Sequence, residues 1–481
     1  MRKDVAVGLD IGTGGARALA MDLSGAVVAG GRADLPPEAV FVDGPRVEQE
    51  PRAWTTAAQA ALRELTDKLR NEYAIIALSI DATSGTFLLA DENNQPLTRG
   101  LMYNDLRAAE EAPEAAEALH DVLGPYGITI AGSFALPKIM HLARTQAETF
   151  ARCRRIVHQT DWIAGMLCGR YDITDISTAL KTGADPGKLA WPAAISGRLG
   201  ISSDLLPQIV LPGMVIGEVT AEAAKLTGLP KRTPVVSGCT DGTAGCLASG
   251  AKAAGDLNVT LGTTLVFKAV AERPLLDPAG AVYNHRHPAG GYLPGAASST
   301  GGEWVTQYFA NANLDELGDQ ADGLLPTGRL AYPLVKKGER FPFACPTAKG
   351  FGMEEIDDPV SRFAAGCEGT AFVERMSIEG FAGLGLSIGD TVYATGGGTA
   401  GRTWLRIRSA VNRRVYAVPE QPECAAGATV LAATPYFGDC GKAIAAMVRI
   451  GRRVEPEPAL ADAYDREYAR FVDELGKRGY R

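Results

Sequence analysis

The sequence predicts a mixed α/β fold built twice over, with helices covering the strands in each half. Three observations carry this expectation. Apolar residues alternate with small ones in short runs, helical patterns are interleaved with those runs, and a strand-glycine-strand pattern at the start of the chain returns in its middle. The 481 residues suffice for two large units or three of ordinary size. With 46% hydrophobic and 22% charged residues the composition is that of a globular chain, which excludes disordered, collagenous and coiled-coil classes. Glycine, at 56 of the 481 residues, stands well above its usual share of about 7%, so many tight turns and close backbone approaches are expected.

Val5, Val7, Leu9 and Ile11 alternate with Ala6, Gly8 and Asp10, predicting a first strand with Asp10 on its small-residue face. Gly12-Thr13-Gly14-Gly15 turns it into a second strand through Leu23, and Ser24-Gly25 leads to a third at Val27-Val28. A helix is expected over residues 54–71, a strand over 75–80, and a hairpin from Thr86 through Asp91-Glu92-Asn93-Asn94. Around Gly238 the opening pattern returns, apolar then small then acidic, ending at Asp241. Residues 257–267 then repeat the strand-Gly-Thr-strand hairpin and carry Gly262, Thr263 and Thr264. We read a diverged internal duplication with its boundary at 250–255. A glycine run, Gly396-Gly397-Gly398-Thr399-Ala400-Gly401, follows a strand at 391–394 and precedes a helix near Thr403-Trp404. Within residues 449–475, Pro456 and Pro458 precede an amphipathic stretch that predicts an outer helix without chemistry.

The charge balance of 48 basic against 56 acidic residues gives −8, with no basic block, which disfavours a nucleic-acid or anionic-membrane partner. The eight cysteines form no Cys-x-x-Cys pair and read as buried thiols of a reducing compartment. The chain shows neither a signal-peptide pattern nor an apolar run of about 18 residues, so a cytoplasmic protein is expected. His120, His141, His158, His285 and His287 offer no metal-binding pair on a helix and are expected at the surface or a substrate edge.

Gly12-x-Gly14 is not a dinucleotide fingerprint, because Arg17 stands where the third glycine belongs, and no Gly-Lys-Ser/Thr follows a glycine loop. What remains is a Gly/Thr hairpin turn whose N–H groups and hydroxyls can wrap phosphate oxygens. Alone it is an ordinary tight turn. The second such turn at Gly262-Thr263-Thr264 changes this, since a nucleotide held between two halves needs a phosphate grip from each. Gly397 and Gly398 let a flat ring lie against backbone at a helix N-terminus. Asp10 and Asp241 each follow an apolar strand beside a glycine turn. Either they cap those turns, in which case each bonds local N–H groups, or they do chemistry. The chemical reading gives a hydrated Mg²⁺ to one and proton abstraction from a hydroxyl to the other.

Taken together, and in this order, Leu9 to Arg17, Asp81-Ala82-Thr83-Ser84-Gly85-Thr86, Tyr103-Asn104-Asp105, Asp161-Trp162-Ile163, Gly238 to Gly242, Leu261 to Thr264, Gly301-Gly302 and Gly396 to Gly398 resemble the FGGY family of carbohydrate kinases along nearly the whole chain. The resemblance implies two actin-like ATPase (ribonuclease H-like) domains with a cleft between them. The first, 1–249, would bind sugar, carry the first phosphate turn and end near the catalytic base. The second, 250–481, would carry the second phosphate turn, the adenosine shelf and a C-terminal helix. It further implies ATP and Mg²⁺ as cofactors, Asp241 as general base, and Asp10 beside the Mg²⁺, through water, and the transferring phosphoryl group. Gly12, Thr13, Gly14, Gly262, Thr263, Thr264, Gly301, Gly302, Gly397, Gly398 and Trp404 would bind ATP. Asp10, Ser84, Gly85, Asn104 and Asp241 would bind the sugar. Domain closure in relatives excludes water and suppresses hydrolysis.

The segment Ala82 to Thr86 is similar to that of the D-ribulose kinase branch, where xylulose kinases usually carry Gln-Met-His; residues 179–183, Tyr332-Pro333-Leu334 and Gly338 to Pro342 strengthen that similarity. The chain departs from the family at His141, where a Trp is usual and a packing change is expected, and at Gly401, where the amide that reads adenine is missing. The leading expectation is therefore an ATP-dependent kinase of the terminal hydroxyl of a pentulose, D-ribulose first and D-xylulose second. The reading from another class is a non-catalytic sugar- or nucleotide-sensing module on the same fold, against which the retention of both aspartates and both turns speaks. A homodimer is one assembly the sequence leaves open.

Overall fold

A computed structural model describes residues 2–481. The chain folds into two compact units. The first runs to Lys252 and takes in His285–Gly291 and Glu423–Val448; the second holds Ala253–Asn284, Tyr292–Pro422 and Arg449–Arg481.

The first unit is organised by a six-stranded sheet in the order Val215–Glu218, Pro234–Thr240, Tyr73–Ala82, Lys3–Gly12, Gly15–Asp22, Val27–Asp34. Pro234–Thr240, Tyr73–Ala82 and Lys3–Gly12 run parallel, and the strands flanking them are antiparallel. Their apolar alternation is what buries Val7, Leu9, Leu78, Ile80 and Val235 against Trp54, Leu62 and Leu65 of helix Pro51–Lys68. That helix opens with Pro51, where a missing N–H costs nothing. A second sheet of five strands contains Phe87–Ala90, Gly100–Leu101 and Arg155–His158.

Glu423–Val448 lies far along the chain from the rest of the first unit, beyond the boundary read from sequence at 250. Glycine explains its return. A Cβ added to Gly8 would lie 2.1 Å from the carbonyl oxygen of Ala425, and one added to Gly427 would lie 1.9 Å from that of Ala244. Helix Cys424–Ala432 thus packs backbone to backbone on the strand that carries Asp10 and on helix Asp241–Ser249.

The second unit repeats the same sheet. Tyr292–Ala297, Leu265–Ala269, Leu257–Leu261, Thr391–Thr395, Val415–Pro419 and Ile450–Val454 follow one another, with Leu257–Leu261, Thr391–Thr395 and Val415–Pro419 parallel. The repeat therefore begins at Leu257. The stretch 235–242, read from sequence as a return of the opening pattern, is instead the third parallel strand of the first sheet and corresponds in position to Val415–Pro419. Its likeness to the opening strand arises because both carry an acidic residue at or just past the C-terminal end of a parallel strand, Asp10 near the end of Lys3–Gly12 and Asp241 directly after Pro234–Thr240.

Three of the histidines expected at the surface or a substrate edge are buried. His158 is fully enclosed, with Nδ1 at 2.8 Å from Asp161 Oδ2 and Nε2 at 2.8 Å from Thr182 Oγ1, and His285 and His287 are buried as well. His141 does more than alter packing: its Nδ1 lies 3.0 Å from Glu111 Oε1. The eight cysteines are free thiols, none of them exposed. Among the described residues no helix is long and apolar enough to cross a membrane.

Candidate active site

Asp10 and Asp81 are register partners on adjacent parallel strands, and Thr240, immediately before Asp241, pairs with Ala82. Three carboxylates thus gather at the C-terminal edge of three neighbouring parallel strands, the edge where α/β sheets place their chemistry. Asp81 is wholly buried. Burial, then the charges of Asp10 and Asp241, push its pKa well up. Asp10 is also raised, first by burial, with Asp241 adding and Arg17 opposing. Neither Asp81 oxygen has a hydrogen-bond partner, and Asp10 is its register neighbour on the adjacent strand. Of the two, Asp81 is the more deeply buried and so is held further above the ordinary carboxylate range.

The capping alternative divides the two aspartates named from sequence. Asp241 Oδ1 accepts the amide of Gly242 at 2.6 Å, a local bond that also orients the carboxylate. Asp10 instead meets Asp81. No group of three or more His, Cys, Asp or Glu arranged to hold a metal directly occurs among the described residues. A hydrated Mg²⁺ needs only one or two carboxylates, because it keeps most of its waters. The carboxylates of Asp10, Asp81 and Asp241, brought to one sheet edge, fit such an ion.

Gly12, Thr13 and Gly14 form the expected hairpin turn, and with Asp10, Arg17 and Arg32 they line a cavity of about 200 Å³. Gln49, fully buried, fixes this turn: its Nε2 donates to Thr13 O at 2.9 Å while its Oε1 accepts Trp54 Nε1 at 2.7 Å. Ser84 and Gly85 sit in a turn where Gly85 has φ +85°, a conformation that favours glycine. Ser84 Oγ is buried without a partner, and Lys181 Nζ donates to Ser84 O at 3.2 Å. Asn104 lies on an exposed turn after Met102. Lys138 ties these segments together, its Nζ donating to Gly85 O at 3.0 Å and Met102 O at 2.7 Å.

Burial lowers the Lys138 pKa from 10.5 to about 7, with Lys181 and Arg107 adding and Asp105 opposing. The unfolded chain keeps this proton up to about pH 10.5 and the folded chain releases it from about 7, so stability should rise with pH between those values. The slope reaches at most about 1.4 kcal/mol per pH unit. Urea midpoints of wild type and Lys138→Met from pH 7 to 10 check this: the stability of wild type relative to the variant should rise across that range.

In the second unit, Gly262, Thr263 and Thr264 form the other hairpin turn. Gly302 N donates to Gly262 O at 2.8 Å and Glu303 N to Thr263 O at 3.2 Å. A Cβ on Gly301 would lie 2.4 Å from Thr264 Cα, so Gly301 and Gly302 press directly on the turn. In the glycine run, Gly396 and Gly398 are small for packing reasons, since a Cβ on either would strike Leu261. Gly397 alone of the three faces open space. Trp404 is buried, its ring 5.6 Å from that of Trp304. A cavity of about 380 Å³ bounded by Trp304, Tyr308, Tyr332 and Phe351 contains none of the site residues named from sequence, and its size alone makes it no active site.

Sequence reasoning missed Asp81, Gln49 and Lys138 as site residues. Asp81 was visible only inside a motif read for Ser84, and Gln49 had no signal.

The profile of the FGGY family of carbohydrate kinases, N-terminal domain, matches residues 5–248, and that of its C-terminal domain matches residues 257–436. A xylulose kinase of Bacillus subtilis (strain 168) is 27% identical over 444 residues, 89% of this chain and 87% of its own. An autoinducer-2 kinase of Salmonella choleraesuis (strain SC-B67) is 27% identical over 483 residues, 94% of this chain and 90% of its own. The crystal structure of a xyloylose kinase from Brucella ovis superposes with a TM-score of 0.87 at 26% identity, covering 99% of both chains. The two-unit actin-like architecture, the carboxylate edge and these matches agree: the chain belongs to the FGGY family of carbohydrate kinases, phosphotransferases acting on a sugar hydroxyl.

Proposed function

We propose that the chain transfers the γ-phosphoryl group of ATP to the terminal hydroxyl of a pentulose, D-ribulose foremost. The observation that carries this reading is the placement of Asp241, a proton acceptor at the sheet edge, within electrostatic reach of Asp10, which lines the cavity of the first phosphate turn. Asp241 takes the hydroxyl proton as the sugar oxygen bonds to phosphorus and the bond to the β-phosphate oxygen breaks, releasing ADP. The Gly242 amide holds the carboxylate in place for this. Turn amides around Thr13 wrap phosphate oxygens, and Arg17 adds positive charge beside them. Asp10 would hold Mg²⁺ through water, and the ion would neutralise charge on the phosphates. In the second unit Thr263, Thr264, Gly301 and Gly302 supply the other phosphate grip, and the open face at Gly397, with Gly398 beside it, supplies the adenosine shelf. Trp404, being buried, supports that shelf from below.

Ser84 Oγ, buried without a partner, is the group we assign to a ketose hydroxyl, with Gly85 and Asn104 flanking it. Ser84→Ala should lower kcat/KM by about 5- to 150-fold, the equivalent of about 1–3 kcal/mol for a lost buried polar contact. An unchanged value for every active sugar would make Ser84 structural. The relatives named xylulose kinase favour D-xylulose as the second reading. A coupled assay of ADP release with D-ribulose, D-xylulose and no sugar tests the proposal. Higher kcat/KM on D-ribulose is expected, the reverse order installs D-xylulose, and release indifferent to sugar refutes both.

A further inference from the structure

Glu339 is 3% exposed and its carboxylate accepts from five donors. Oε1 takes Ser298 Oγ at 3.0 Å, Ser299 N at 2.5 Å and Arg340 N at 3.0 Å. Oε2 takes Thr300 Oγ1 and Tyr332 OH, each at 2.8 Å. Three of these donors belong to consecutive residues, Ser298 to Thr300, that lead directly into Gly301-Gly302. Glu339 is itself anchored, because its N–H and C=O exchange hydrogen bonds with Cys345 at 2.9 and 3.0 Å. The neighbouring Arg340 reinforces the grip by donating to Ser298 O at 3.0 Å.

What Glu339 holds is one wall of the turn at Gly262–Thr264. Leu265 N donates to Thr300 O at 2.8 Å, Ser298 N to Leu265 O at 3.0 Å, and Gly302 N to Gly262 O at 2.8 Å. The turn therefore hangs, bond by bond, on the segment that Glu339 fixes. Backbone amides bind phosphate well only when they already point the right way, since ordering them at the moment of binding consumes affinity. A buried carboxylate with its lone pairs filled by hydroxyls and amides is rigid in a way that a flexible surface contact is not.

We propose that Glu339 is a positioning residue for the nucleotide phosphates: through Ser298–Thr300 it preforms the Gly262–Thr264 turn without touching the nucleotide. The inference rests on the assignment of that turn to ATP made above. Its test uses the full chain and a non-hydrolysable ATP analogue with Mg²⁺. Glu339→Gln, nearly isosteric, should weaken analogue binding roughly 10-fold or more, leave the Kd of the sugar unchanged, and speed hydrogen exchange at Leu265 and Gly302 while the amides of strand Thr391–Thr395 keep their protection. Should that variant fail to fold, Tyr332→Phe removes one of the five donors and should give a smaller loss of the same sign, roughly 2- to 5-fold. A merely structural role predicts a lower unfolding temperature with analogue affinity and exchange at Leu265 and Gly302 unchanged, and that result overturns the proposal. If wild type binds no nucleotide, the ATP assignment fails, and the phosphate role of Glu339 with it. The exchange data keep this outcome distinct, because they report the order of the turn without any ligand.

Discussion

Asp241→Asn is expected to lower kcat by about 10²- to 10⁴-fold, the range contributed by a positioned proton acceptor. The amide keeps the size of the side chain and the carbonyl oxygen that meets Gly242 N, so local geometry survives while the basic oxygen is lost. Sugar and Mg·ATP affinities should accordingly change little. Asp10→Asn should behave differently. Asp10 lines the cavity of the first phosphate turn and is the register neighbour of Asp81, and its loss removes the negative charge proposed to attract the hydrated ion. Turnover measured across a magnesium titration separates the two, with a shifted midpoint for Asp10→Asn and a wild-type midpoint for Asp241→Asn. Equal magnesium responses, or a wild-type kcat in Asp241→Asn, would show that the roles are wrongly assigned.

Arg408→Met is expected to destabilise the second unit by about 3–5 kcal/mol, the usual cost of stranding one partner of a buried ion pair. Arg408 and Glu374 are both fully buried. Arg408 Nε and Nη2 donate to the two Glu374 oxygens at 2.7 and 2.9 Å, and Tyr416 OH donates to Oε1 at 2.7 Å. The pair joins helix Pro359–Gly383 to helix Arg402–Asn412, which begins just after the glycine run. Removing the guanidinium leaves the Glu374 charge with the Tyr416 hydroxyl as its remaining donor of the three. Replacing both partners, Arg408→Met with Glu374→Leu, should recover most of the loss, because no buried charge then remains. Urea unfolding of the single and double variants checks the sign and the size.

Much of this architecture can be read from the chain. Strand alternation around Val5 to Ile11 locates Asp10, and the Gly-Thr hairpins at 12–15 and 262–264 fall where the pattern places them. These features are local, each written in a dozen residues. What escaped reading depends on residues distant in sequence. The meeting of Asp10 with Asp81 follows from the parallel register of strands some 70 residues apart, and no local pattern encodes a register. Helix Cys424–Ala432 belongs to the first unit through the missing side chains of Gly8 and Gly427, a signal that looks like any other glycine until the two backbones are seen together. His158, expected at the surface or a substrate edge, is enclosed by Thr182 and Thr174, partners 24 and 16 residues away that no local pattern announces. Of Gly396, Gly397 and Gly398 only Gly397 faces open space, since a Cβ on either of the others would strike Leu261, and the sequence of three glycines does not show which is which.

The measurement that bears most directly on the account is phosphorus-31 NMR of the products formed from D-ribulose, ATP and Mg²⁺. The account predicts ADP together with a phosphomonoester whose signal is split by the two protons of a terminal CH₂ group, formed about 10²- to 10⁴-fold more slowly when Asp241→Asn replaces the wild type. Inorganic phosphate beside ADP, an ester on a secondary carbon, or undiminished product from Asp241→Asn would contradict it.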